Sequence, residues 1–65
     1  MFYVCQIHNN LLGSMEECES IEDAVALVKK IVGENGVELT PDVEAEINND
    51  WSYLGEDWSV CIGKP

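Results

Sequence analysis

Three carboxylates, Asp42, Glu46 and Asp50, recur at intervals of four in a segment that opens Thr40-Pro41. On a helix that spacing stacks them along one face, one turn or ~5–6 Å apart. Like charges at i, i+4 cost a few tenths of a kcal/mol per pair, so a helix selected only for stability would alternate Glu with Lys. Glu44 adds a fourth carboxylate nearby, and Glu56-Asp57 extends the run downstream. A second acidic cluster, Glu16, Glu17, Glu19, Glu22 and Asp23, lies upstream. The chain holds 13 Asp and Glu against three Lys and no Arg, for a formal charge of −10, and from Ile31 to Gly63 there are eight acids and no base. A row of carboxylates at helical spacing offers a Lys/Arg-lined groove much of what a phosphate backbone offers. The chemistry this pattern serves is electrostatic recognition of a basic surface, fast and sensitive to salt. For any single acid, a solvated face or adaptation to high salt explains it equally well. The whole base-free band points to a partner that supplies the positive charge.

Other chemistry finds less support. Cys5-x-x-His8, with Cys18 and Cys61 elsewhere, formally allows a Cys3His zinc site. Cys5 sits among apolar neighbours, however, paired Cys-x-x-Cys knuckles are absent, and small buried thiols account for Cys5 and Cys61. A calcium loop read from Asp50 fails at Leu54 and at Cys61, which stands in place of the final Glu. No metal or other cofactor is expected. With one His, no Arg and no nucleophile motif, the chain is not expected to be an enzyme, and His8 reads as a strand-end polar residue. Trp51 and Trp58 read as core or hairpin packing, with interface anchoring the alternative. Three cysteines without scaffold spacing fit reduced thiols in a cytoplasmic protein. Phosphate binding draws on Lys and Arg, so direct binding to nucleic acid or to an anionic membrane is not expected. Met1 to Gln6 lacks the pattern of a signal peptide, and no stretch is long enough to span a bilayer.

These side chains need a scaffold. Sixty-five residues make one domain, 1–65, and a chain of this length buries only about 60 % of its unfolded surface. The 46 % hydrophobic content still argues for a folded domain, as a monomer or weak dimer. Phe2 to Ile7, rich in β-branched and aromatic residues, predicts a strand followed by a turn at His8-Asn9-Asn10. Leu11 to Ser14 is ambiguous, a short returning strand at most, and Glu16 to Glu19 fits a strand edge or a loop. Ser20 with Asp23 three residues on caps a first helix, although Ser14 to Glu17 fits the same pattern. Ile21, Ala24, Val25, Val28, Ile31 and Val32 form its buried stripe, and Gly36 ends it. Thr40-Pro41-Asp42 starts a second helix that runs to Asn48-Asn49-Asp50, with Val43, Ile47 and Trp51 as its apolar seam. Trp51 to Leu54 and Trp58 to Ile62 predict a hairpin joined through Gly55-Glu56-Asp57. The order implies an α+β domain: a small antiparallel sheet of three or four strands, both helices on one face, first strand paired with last.

Phe2-Tyr3-Val4-Cys5-Gln6-Ile7, Ser20-Ile21-Glu22-Asp23-Ala24-Val25 and Trp51-Ser52-Tyr53-Leu54-Gly55-Glu56-Asp57-Trp58-Ser59-Val60, in so small, acidic and Arg-free a chain, resemble the phage-encoded anti-CRISPR proteins. The likeness is one of size, charge and general character, nearest to the small acidic inhibitors of type I-C systems. It implies an inhibitor acting in the host cytoplasm that binds the CRISPR surveillance complex. The partner would be the basic surface, on the large subunit, that recognises target duplex beside the protospacer-adjacent motif. Charge geometry assigns the contacts to Asp42, Glu44, Glu46 and Asp50, with Glu56, Asp57 and the Glu16–Asp23 cluster as secondary candidates. The alternatives are an antitoxin- or immunity-like cap on another basic nucleic-acid-binding protein, and a small metal-binding domain.

Overall fold

The computed structural model describes residues 1–64. Its elements run β1 (Phe2–His8), β2 (Leu11–Cys18), α1 (Ile21–Glu34), α2 (Pro41–Asp50), β3 (Ser52–Leu54) and β4 (Trp58–Gly63). The four strands form one antiparallel sheet in the order β2-β1-β4-β3, so the first strand pairs with the last, as the order of elements led one to expect. The fold is a small α+β domain of two layers.

Asn9 and Asn10 join β1 to β2 with φ of 51° and 66°. Positive φ at both central residues is what a two-residue type I′ hairpin demands, and Asn tolerates it better than most residues. That turn fixes the ambiguous segment: Leu11 to Cys18 is one eight-residue strand, with a register shift opposite Gln6/Ile7 that leaves Gly13 unpaired. Helix α1 starts at the later of its two candidate caps, Ser20, whose hydroxyl accepts from the Asp23 amide at 3.1 Å. It ends in a Schellman motif: Val37 N–H reaches Val32 O at 3.3 Å and Gly36 N–H reaches Gly33 O at 3.1 Å, with Gly36 at φ +85°. For α2, the Thr40 hydroxyl accepts from the Val43 amide and Pro41 occupies the first turn. Its C-cap is Trp51, in the left-handed region at φ 56°, ψ 32°. A non-glycine there costs roughly 1–2 kcal/mol. What offsets it is tertiary: Trp51 meets Phe2 edge-on at 6.0 Å, and its carbonyl accepts from Ile62 N–H at 2.9 Å.

The core is small and aliphatic. Val4, Ala24, Val28, Ile31, Val32, Ile47 and Val60 are buried, with Phe2, Tyr53, Trp58 and Ile62 among the half-buried side chains around them. Val4 and Val60 mark the helix-facing side of the sheet. By alternation Phe2, Gln6 and His8 of β1 and Trp58 and Ile62 of β4 share it. Trp58 stacks on Tyr53 at 5.7 Å and lies against Gly55, where an added Cβ would fall 2.3 Å from the indole ring. Gly55→Ala therefore forces the ring off its site. It is expected to cost about 1–3 kcal/mol by urea unfolding, with near-ultraviolet circular dichroism reporting the lost Tyr53–Trp58 stack.

A candidate acidic interface

Helix α2 places the sharpest cluster. Ile47 is fully buried and Val43 half-buried, and these two fix the face turned to the core. At 100° per residue, Asp42, Glu46 and Asp50 then share one flank, and all three are exposed. Glu44 falls on the other flank and is half-buried. Asn48, on that other flank, lines a shallow groove with Ile21, Glu22, Val25, Ala26 and Lys29 of α1. The Asp42–Glu46–Asp50 stripe is thereby turned away from α1, which carries Lys29 and Lys30. One base comes closer than the sequence order implied. Lys64 Nζ lies 5.2 Å from the centre of the Trp51 ring, so a cation sits against the residue that caps α2.

Neither helix has a base in its last turn, and Glu34 and Asp50 occupy the final positions, at the negative end of each helix dipole. Lys29 and Lys30 fall short of that turn and do not serve the α1 terminus. The stripe is thus disfavoured twice, by its own repulsion and by the placement of Asp50.

The other acids are placed by other elements. Glu56 and Asp57 form the β3–β4 turn and share a shallow pocket with Asn35, Val37, Tyr53 and Trp58. The exit of α1 is therefore beside that turn, and Glu34 and Glu38 are the exposed chain neighbours of Asn35 and Val37. These two were not singled out from the sequence, because only the tertiary fold sets the α1 exit beside the β3–β4 turn. Glu16 and Asp23 flank Cys18. Burial first, then the Asp23 and Glu16 carboxylates, push the Cys18 thiol up from its ordinary pKa. Glu22 lies in the interhelical groove, Glu19 is exposed between β2 and α1, and Glu17, paired with Tyr3, faces the opposite side of the sheet from Glu16. A flat partner meets some of these groups and not all.

The zinc set does not assemble. Cys5 and Cys61 are register partners on the side of the sheet away from the helices, Cys18 packs toward the core with Phe2, and His8 lies on the helix side, 3.4 Å from Gln6 Oε1. Among the described residues no three His, Cys, Asp or Glu side chains are grouped to hold an ion. Asp50 ends α2, Ser52 and Leu54 lie in β3 and Cys61 in β4, so the segment weighed as a calcium loop is a helix end and a hairpin. No helix among the described residues is long and apolar enough to cross a membrane. No family model, curated protein or solved structure matches the chain.

Proposed function

We propose that the chain is a stoichiometric inhibitor of the anti-CRISPR kind, whose acidic surface occupies a basic site built for duplex DNA on a type I surveillance complex. The observation that carries this reading is the α2 stripe: three exposed carboxylates one turn apart, on the flank turned away from the helix that bears Lys29 and Lys30. A stripe that costs the free protein stability is accounted for if binding returns more than it costs. The large subunit of the complex, where duplex is read beside its protospacer-adjacent motif, is the partner this chemistry fits. The inhibitor acts in the host cytoplasm, without a catalytic step or cofactor.

A gel-shift competition tests it. Purified type I complex is incubated with the chain and then with labelled target duplex. The expected result is loss of the shifted DNA band at stoichiometric chain. A complex that holds chain and duplex together overturns the mimicry. A complex that ignores the chain, while a basic nuclease captures it, gives the result of the antitoxin-like alternative.

A further inference from the structure

Both helices lie on one side of the sheet, which leaves the other side bare. The register assigns that bare side to Tyr3, Cys5 and Ile7 of β1, Leu12, Met15 and Glu17 of β2, Ser52 and Leu54 of β3, and Ser59 and Cys61 of β4. Leu12, Met15 and Leu54 are 61 %, 54 % and 78 % exposed. Of the 13 acids, Glu17 alone stands at a strand position on this face. A chain of charge −10 thus keeps one broad side almost free of charge and lines it with apolar side chains.

We infer that this face is the interface of a homodimer, in which two copies stack sheet on sheet about a twofold axis to close a four-layer sandwich. The distribution of charge selects a second copy as the occupant. Twelve of the 13 acids stand elsewhere, so at this face repulsion between two copies is least and apolar burial greatest. Pairing two β2 edges would instead add strand hydrogen bonds and leave the apolar face uncovered. The area fits a weak dimer. Strands of seven, eight, three and six residues, about 4.8 Å apart at ~3.4 Å per residue, offer on the order of 400 Å² of projected face per copy. Two corrugated faces then bury on the order of 1,000 Å² in total, the lower bound for a specific interface. Aligned packing at ~10 Å between sheets would set the Cys5 and Cys61 thiols near the centre of the contact.

Salt separates this inference from the proposed function. Screening weakens the grip of an acidic stripe on a basic partner, but it strengthens association between two anions held by apolar contact. Sedimentation equilibrium under reducing conditions, from about 10 μM to about 1 mM, tests the dimer at the concentrations a weak interface requires. The mass should rise from that of the monomer to twice it, with the midpoint falling to lower concentration as salt is added. Leu12→Glu and Leu54→Glu, both at exposed positions on the bare face, should shift that midpoint at least tenfold upward. Leu11→Glu, equally exposed but on the other side of β2, should leave it in place. With the unmodified chain, alkylation of Cys5 and Cys61 should slow as the concentration rises, whereas Cys18 keeps its rate. A monomer at every concentration and salt overturns the inference, and so does a dimer that survives Leu12→Glu/Leu54→Glu or dissociates with added salt.

Discussion

Replacing Asp42, Glu46 and Asp50 together by Lys weakens binding to the basic partner by about 10²–10³ at low salt, with the fold retained. Three negative charges become three positive ones on a single exposed flank of α2. Steering by opposite charge raises association rates by ~10–10³, and reversal turns that attraction into repulsion. The effect on stability is small and mixed. Lys at 42 loses a favourable interaction with the helix N-terminus, Lys at 50 gains one at the C-terminus, and the new Lys row repels itself as the acids did. Titration calorimetry against the purified partner, with far-ultraviolet circular dichroism as the control for folding, reads the result. Unchanged affinity in a folded variant would remove the stripe from the interface. Reversal of Glu17, on the bare side of the sheet, should change the affinity little, and that contrast separates a local contact from a general effect of net charge.

The largest expected effect on stability comes from Ile47→Ala. Ile47 is the one buried residue of α2 and is fully inaccessible to solvent. Removing a buried Ile side chain costs about 2–5 kcal/mol when the cavity does not collapse. A 65-residue domain carrying ten excess negative charges has little beyond that in reserve. Because α2 is otherwise held by Val43 at its edge and by the Trp51 cap, its amides should lose protection from hydrogen exchange before those of β1 and β4. Urea unfolding should show a loss of at least 2 kcal/mol, and a cost under ~1 kcal/mol would mean that α2 does not depend on this anchor. The variant also bears on function: a loosened α2 no longer holds the three carboxylates in register.

Which parts of this were legible in the sequence follows from how local each signal is. Both helices could be read closely, because Ser20, Thr40-Pro41 and Gly36 are chemical punctuation acting within one turn. Strand β2 was harder. Leu11 to Cys18 lacks strict alternation, lies at the sheet edge and is exposed along most of its length, so burial imposes no pattern on it. Trp51 as a left-handed helix cap was not legible at all, since it depends on Phe2 and Ile62 from the other end of the chain. The stripe itself could be read from four-residue spacing, but its orientation could not. Asn48 in the α1 groove turns the stripe away from Lys29 and Lys30, and Lys64 returns to the Trp51 ring at the end of α2. The bare sheet face was implicit in Tyr3, Cys5 and Ile7 alternating with Phe2, Val4 and Gln6. Only the placement of both helices on one side decides which set is left uncovered.

The salt dependence of partner binding tests the central claim most directly. If the α2 carboxylates stand in for phosphates on a basic DNA-binding surface, the association constant measured from 50 to 300 mM salt should fall steeply. Loss of ten- to a hundredfold is expected, with the slope of log K against log salt flattened in the triple Lys variant. An association constant that stays level across that range, in a complex that still excludes target duplex, would contradict the account.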